Sequence, residues 1–180
     1  SMLKGMTVEY LLNRSFKVQK SHTVLFHAAA GGVGLIAGQW LKYIGAESIG
    51  TVGNDDKIDL AKKVGYTHVI NYNKSNFVEE VRRITNGLGV DVAYDSVGQA
   101  TYPSTLSCLK KFGLFVSFGQ SSGIIKNIAM ADLQKNGSLY AQRPTLFDFI
   151  PDSESLREVS SNMFNMLSDG HINMYINQRY

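Results

Sequence analysis

The 180-residue sequence contains a single cysteine, Cys108. One thiol cannot form an internal disulfide framework, which is consistent with a reducing compartment, so we expect a cytoplasmic protein. Because Leu106 and Leu109 flank the thiol, we interpret Cys108 as a small buried hydrophobic residue rather than a nucleophile.

Long apolar runs and dense charge clusters are also missing. No apolar stretch approaches about 18 residues, so no membrane-spanning segment is expected. Residues 1–16 lack the apolar core of a signal peptide. The net charge is only +3, and the densest basic clusters are pairs such as Lys62-Lys63 and Arg82-Arg83. Pairs of this kind are typical of solvated helix faces, so nucleic acid is not expected as a partner.

Several motifs of nucleotide and metal enzymes are absent as well. The chain has no Gly-Lys dipeptide, which excludes a Walker A loop, and no tyrosine precedes a lysine by four residues as in short-chain dehydrogenases. The four histidines do not have metal-ligand spacing, and His27 adjoins an apolar strand as a core histidine would. We therefore predict no metal site and name no catalytic residue in this chain.

Nearly continuous apolar segments alternate with helical patterns along most of the chain. The pattern predicts strands at 23–28, 48–53, 68–72, 91–98 and 114–119, and helices at 32–44, 55–64, 75–85 (with Ser75 as the cap) and 101–111. Strands without polar alternation are covered on both faces. The sequence therefore predicts an α/β Rossmann fold, a doubly wound parallel sheet with helices on both faces.

The two ends of the chain extend this pattern. Met6, Tyr10 and Leu11 share one face of a predicted N-terminal amphipathic helix. After Gly123 the pattern predicts a helix at 129–135, a strand at 137–142, a helix at 153–168 and a last strand within 172–180 whose partner is missing.

A small-residue turn, HAAAGGVG at 27–34, joins the first strand to the first helix. It contains the pattern A-x-G-x-x-G, with Ala29 in place of the usual first glycine. Gly31 lacks a Cβ atom, so a diphosphate can approach the backbone there, and Gly34 allows the helix to pack closely on the strand. This context predicts a dinucleotide site, while tight packing without a ligand remains the alternative.

The end of the second strand bears on the choice of cofactor. NAD-specific sites place an acidic residue there, whereas this chain has Gly53. A glycine leaves room for a 2′-phosphate, and Lys57 can neutralise it, which favours NADP over NAD. Asp55 and Asp56 argue against this assignment because they would repel the phosphate, and Lys57 can also be read as an ordinary surface lysine.

Five segments together resemble the zeta-crystallin-like quinone oxidoreductases of the zinc-independent medium-chain dehydrogenase/reductase superfamily. They are HAAAGGVGLIAGQWLK, IGTVGNDDK, INY, YDSVG and VSFGQSSG. The resemblance runs over essentially the whole chain. It implies that residues 1–180 form the NAD(P)-binding Rossmann domain of a two-domain enzyme whose N-terminal GroES-like catalytic domain is absent from this chain, so that the fragment alone would be inactive.

The resemblance also implies a reaction and a set of site residues. The reaction is hydride transfer from NADPH to a quinone. The residues that would contact the cofactor are Ala29, Ala30, Gly31, Gly32, Val33 and Gly34 at the diphosphate, Gly53 and Lys57 at the 2′-phosphate, Tyr72 and Ser96 near the adenosine, and Phe118, Gly119 and Ser121 near the nicotinamide ribose. Tyr72 can instead cover the edge of the core, and Ser121 can belong to a simple polar turn.

Three points stay open at this stage. An enoyl-thioester reductase of the same superfamily and a non-catalytic, crystallin-like nucleotide-binding module are alternatives to a quinone reductase. By analogy with the superfamily, residues 137–143 are expected to form an edge strand that pairs two copies into a homodimer. The alternative for that strand is an ordinary capped edge.

Overall fold

A computed structural model describes residues 2–174. One all-parallel sheet of six strands forms its centre, in the order β3-β2-β1-β4-β5-β6. The strands are β1 Thr23–Phe26, β2 Glu47–Val52, β3 His68–Asn71, β4 Val90–Asp95, β5 Leu109–Ser117 and β6 Tyr140–Gln142. This is the Rossmann strand order, in which the chain reverses its direction of travel between β1 and β4.

Eight α-helices cover the sheet within the described residues. They are α1 Met2–Tyr10, α2 Gly34–Ile44, α3 Asp56–Val64, α4 Phe77–Ile84, α5 Tyr102–Leu106, α6 Met130–Lys135, α7 Leu146–Phe149 and α8 Ser153–Ser168. Helix α1 continues as a π-helical turn over Leu11–Ser15. None of these helices is long and apolar enough to cross a membrane.

The sheet has a separate apolar core on each face. Val24 and Phe26 of β1 pack into the core shared with α1, α2, α3 and α8, whereas Leu25 between them packs into the core shared with α4, α5 and α6. Both faces of β1 are therefore covered, as its continuous apolar sequence predicts. The expected fold class is confirmed.

Several predicted element ends are also confirmed. Gly45 and Gly65 end α2 and α3 in the left-handed region, with φ of 79° and 117°, where glycine is favoured because it has no Cβ. Helix α8 occupies the predicted residues 153–168. The cap of α4 differs by one residue, since the side chain of Asn76, not Ser75, accepts a hydrogen bond from the amide of Val78.

The predicted helix at 101–111 is wrong in its second half. Helix α5 ends at Leu106, and β5 begins at Leu109, five residues before the predicted strand. Leu109 pairs with Val90 of β4, and the Lys110 ammonium contacts both carboxylate oxygens of Asp91 at 2.9 and 3.0 Å. These cross-strand contacts override the helical spacing of the leucines.

The region after β5 contains three further differences. Strand β6 is shorter than predicted, because Gly137 and Ser138 form a left-handed turn before it. Helix α7, only four residues long, is too short to give a periodic signal. Residues 172–174 are not in a strand, and the remainder of the predicted final strand, 175–180, lies outside the described residues.

Candidate functional site

The turn between β1 and α2 is anchored to both neighbouring strands. The amide of His27 donates to the carbonyl of Tyr94 in β4, and the amide of Ala29 donates to the carbonyl of Thr51 in β2, each at 2.9 Å. Ala28 adopts a left-handed conformation with φ of 56°, and its carbonyl accepts from the amide of Gly31 at 2.8 Å. The turn is therefore held rigidly at the point where the strand order reverses.

Backbone N–H groups are left free on this turn. The amides of Ala30, Gly32, Val33 and Gly34 have no hydrogen-bond acceptor among residues 2–174. Gly31 and Gly32 are exposed, and Ala30 and Val33 are half-buried. Free amides at the positive end of a helix dipole attract an anion, and phosphates are commonly bound in this way.

The residues of the glycine pattern have different roles. A Cβ atom added to Gly34 would lie 2.5 Å from the carbonyl oxygen of Ala29, so only glycine lets α2 begin this close to β1. A Cβ atom on Gly31 would lie 3.1 Å from the carbonyl oxygen of Ala28, a tight contact that leaves the outer side open. Ala29 is fully buried, and the residue that bears the left-handed conformation is its neighbour Ala28.

Lys4, which the sequence interpretation missed, reaches this turn from α1. Its ammonium nitrogen lies 2.5 Å from the position that a Cβ atom of Gly32 would occupy. No carboxylate of the described residues forms an ion pair with it. A cation therefore lies beside the positive end of α2, an arrangement that a bound anion would stabilise. Because 28 residues separate Lys4 from Gly32, no local motif signals the contact.

The carboxyl end of β2 contains Gly53 and Lys57. A Cβ atom on Gly53 would lie 2.7 Å from the hydroxyl oxygen of Tyr72, so this hydroxyl and not open space adjoins that side of the glycine, and a 2′-phosphate here would lie beside the hydroxyl. Lys57 is exposed in the first turn of α3 and makes no ion pair within residues 2–174. Its amide donates to the side-chain oxygen of Asn54 at 3.2 Å, which satisfies one of the N–H groups of that turn.

The ends of β4 and β5 meet on the other side of the turn. The amide of Ser121 donates to the carbonyl of Ser96 at 3.1 Å, and a Cβ atom on Gly119 would lie 2.7 Å from that same oxygen. The Phe118 ring packs 5.6 Å from the ring of Phe26 in β1. The structure thus brings Ser96, Phe118, Gly119 and Ser121 together beside the switch point between β1 and β4.

Asp95, which the sequence interpretation also missed, organises the loop after β4. It is fully buried, and its Oδ1 accepts from the amides of Val97 and Gly98 at 2.6 and 3.0 Å. Its Oδ2 accepts from the hydroxyl of Thr101 at 2.6 Å. An Asp followed by Ser-Val-Gly at a strand end is typical of an Asx turn, and that signal could have identified it.

His27 is a buried, hydrogen-bonded core residue, as predicted. Its Nδ1 lies 2.9 Å from the hydroxyl of Thr51, and its Nε2 lies 2.9 Å from that of Thr105. The Thr105 hydroxyl donates to the carbonyl of Thr101, so it accepts from His27, and Nε2 carries the proton. Burial lowers the pKa of His27, although the charge of Asp95 opposes this shift. The imidazole is neutral and inaccessible.

Two further possibilities for the described residues are a reactive thiol at Cys108 and a metal site. Cys108 is fully buried, and burial raises its pKa to about 12, so it is not a nucleophile, as predicted. Within residues 2–174, no group of three or more His, Cys, Asp and Glu side chains could hold a metal ion.

The fold and this turn define a class: a Rossmann domain with a glycine turn that presents free amides at its switch point. The chain belongs to the zinc-binding dehydrogenase family, whose model matches residues 32–160.

Three proteins illustrate the similarity. The chain is 47% identical to a quinone oxidoreductase of Salmonella typhimurium, covering 100% of this chain and 56% of that protein. A crystal structure of Escherichia coli quinone oxidoreductase complexed with NADPH is 46% identical, with a TM-score of 0.94, over 97% of this chain and 53% of that one. A solved enoyl reductase, CurK, is more distant, with 27% identity and a TM-score of 0.82 over 97% and 52%. The chain therefore spans about half the length of the relatives it matches.

Proposed function

We propose that this chain is the NADPH-binding domain of a quinone oxidoreductase. The observation that carries the proposal is the set of free amides at Ala30, Gly32, Val33 and Gly34, at the switch point of a parallel sheet. The identity to quinone oxidoreductases, one of them solved with NADPH, supports the same assignment.

Each part of the cofactor has residues of suitable chemistry. The diphosphate would lie against the free amides of Ala30, Gly32 and Val33. Gly31 has no side chain to block the backbone, and the Lys4 ammonium would be a counter-ion. Lys57 would bind the 2′-phosphate next to Gly53.

The adenosine and nicotinamide ends would contact different strand ends. Tyr72, 41% exposed, offers its ring to the adenosine. The loops that contain Ser96, Phe118, Gly119 and Ser121 would form the wall beside the nicotinamide ribose, held together by their own backbone contacts.

The chemistry of the reaction belongs to the cofactor, which supplies a hydride to the substrate when bound. The chain's own residues bind and orient it, and none of the buried titratable groups described above can exchange a proton with a substrate. We propose that a GroES-like domain outside this chain completes the substrate cleft, since the chain spans only about half of its relatives.

The proposal extends to a cytoplasmic homodimer. A lone, buried thiol suits a reducing compartment. Strand β6 forms one edge of the sheet, and Tyr140 on it is 63% exposed beside Phe112, which is 68% exposed. An exposed apolar edge strand is a template for pairing with a second copy. Size-exclusion chromatography with light scattering tests this, and a monomer at high concentration would contradict it.

Cofactor fluorescence titrations with NADPH and NADH test the central proposal. We expect the chain to bind NADPH about tenfold more tightly than NADH, because a charge-assisted contact to the 2′-phosphate contributes on that order. Lys57→Met should remove the preference. Lys63→Met, which removes an equal charge from the last turn of the same helix, is the matched control and should keep it.

Turnover by the full-length protein separates the three candidate functions. A quinone reductase should oxidise NADPH in the presence of quinones and much more slowly with enoyl thioesters. The reverse ratio would identify an enoyl reductase. NADPH binding without turnover on either substrate would identify a non-catalytic module.

A further inference from the structure

Asp55 lies between the two residues of the proposed 2′-phosphate site, Gly53 and Lys57. A free carboxylate there would repel a phosphate, which is the argument against NADP that the sequence raises. The structure shows that this carboxylate is not free. Its Oδ1 accepts a hydrogen bond from the side-chain amide of Asn71 at 2.7 Å, and its Oδ2 forms an ion pair with the ammonium of Lys74.

Both partners of Asp55 belong to the neighbouring strand β3 or to the turn that follows it. Asn71 ends β3, and Lys74 lies in the turn immediately after it. The Asn71 side-chain oxygen also accepts from the amide of Asn73 at 3.0 Å, which orients its NH₂ group towards Asp55. The carboxylate is therefore tied to the β3 turn by two contacts.

Residues 53–57 carry one more negative charge than positive, and Lys74 compensates for it. Asp55 and Asp56 are negative, and Lys57 and Lys74 are positive, so the four groups sum to zero. The hydrogen bond from Lys74 is the largest cause that lowers the pKa of Asp55, so the carboxylate stays ionised and paired. Without Lys74 the same turn would carry a net negative charge beside the phosphate position.

We propose that Lys74 is a positioning residue for coenzyme specificity: it neutralises Asp55, so that a 2′-phosphate can bind at Gly53 and Lys57. Lys74 acts through Asp55 and need not touch the cofactor. The inference rests on the proposed function, because it concerns the 2′-phosphate site of that function. It explains how a strand end with two adjacent acids can accept NADPH.

The expected size follows from the exposure of the pair. The side chains of Lys74 and Asp55 are 68% and 51% exposed, so solvent and salt screen the interaction strongly. We expect Lys74→Met to weaken NADPH binding about threefold at low ionic strength and to leave NADH binding unchanged. The effect should shrink as salt is added, because the Debye length falls to about 10 Å at 0.1 M.

A double substitution provides the decisive control. In Lys74→Met the unpaired charge of Asp55 causes the loss, so Lys74→Met with Asp55→Asn should restore the NADPH-to-NADH affinity ratio. Asp55→Asn keeps a residue suited to the start of a helix, so α3 should be unaffected. Lys63→Met is again the control for the loss of one positive charge, and far-ultraviolet circular dichroism checks the fold of each variant.

The outcomes distinguish this inference from the proposed function. Equal weakening of NADPH and NADH by Lys74→Met, or no rescue by Asp55→Asn, would show that Lys74 has only a structural role and would overturn the inference alone. If Lys74→Met leaves the preference for NADPH intact, the inference is likewise overturned while the proposed function stands. If the unmodified chain does not prefer NADPH and Lys57→Met changes nothing, the 2′-phosphate site fails, and the inference fails with it.

Discussion

The two halves of the sheet form their loops in different ways. In the half made of β1, β2 and β3, the loops of β2 and β3 are joined at Asp55, but amides of the β1 turn and ammonium groups of the adjacent helices stay exposed, as at Gly32, Lys4 and Lys57. In the half made of β4, β5 and β6, the loops are tied to one another: the buried carboxylate of Asp95 accepts from three donors, and the carbonyl of Ser96 accepts from the amide of Ser121.

This difference indicates a division of labour within the proposed site. The first half would bind the charged groups of a cofactor through electrostatic contacts that need no rearrangement. The second half would provide a preformed wall for the uncharged end, because its polar groups are already satisfied internally. Substitutions in the first half should therefore change binding, whereas those in the second half should mainly change stability.

Removal of Asp95 should give the largest effect. Asp95→Ala leaves the buried amide of Gly98 and the half-buried amide of Val97 without their acceptor and removes the shorter of the two hydrogen bonds of the Thr101 hydroxyl, so we expect the free energy of unfolding to fall by about 4 kcal/mol. Urea denaturation followed by circular dichroism measures it. Asp95→Asn keeps one acceptor oxygen for the amides and should cost about 1 kcal/mol. Equal losses in both variants would show that the hydrogen bonds are not the cause.

Gly34→Ala should have the next largest effect. It tests the close packing of α2 on β1, the strand at which the two halves meet. The new Cβ atom would meet the backbone carbonyl of Ala29 at 2.5 Å, so α2 must move away from β1. We expect a loss of about 3 kcal/mol in the free energy of unfolding, together with weaker binding of both coenzymes. Gly31→Ala, whose Cβ atom meets only one oxygen at 3.1 Å, is the milder control.

The same contrast between halves limits what the sequence can predict. In the first half, glycines at 45 and 65 end helices for a local reason, the left-handed backbone, so these boundaries are predicted well. In the second half, Leu109 and Lys110 join a strand because of partners in β4, which helical spacing cannot reveal. Sequence rules therefore predict a helix or strand boundary where local backbone conformation determines it, and they fail where contacts with another strand determine it.

The candidate site shows the same limit. Sequence patterns and the family resemblance led to the glycine turn, the strand ends and Lys57, all of which the structure places at one edge of the sheet. Lys4 and Lys74 were missed because each acts on a residue distant in the chain, Gly32 in one case and Asp55 in the other. Only the folded arrangement shows that Lys4 lies beside Gly32 and that Lys74 pairs with Asp55.

Lys4→Met tests whether a positive charge in the first half contributes to cofactor binding, and its expected effect is smaller than those above. Because the diphosphate is common to NADPH and NADH, we expect about fivefold weaker binding of both, with the affinity ratio unchanged. Lys20→Met removes the same charge at the opposite end of α2, where Lys20 lies near Gly45, and should bind both coenzymes as the parent does. A change in the ratio would place Lys4 at the 2′-phosphate instead.

The pH dependence of stability tests the closed core of the second half and has the smallest effect. Burial raises the pKa of Cys108 from 9.0 to about 12, so at alkaline pH the unfolded chain loses this proton first and the folded state loses stability as pH rises. Between pH 8 and 9.5 we expect Cys108 to account for about 0.8 kcal/mol of the decline in the free energy of unfolding. Cys108→Ala should lose that much less over the same range, while the buried tyrosines Tyr66 and Tyr94 contribute equally to both proteins and cancel. Parallel declines in the two proteins would mean that solvent reaches the thiol, and the core that contains Cys108 would then be less tightly closed than its burial indicates.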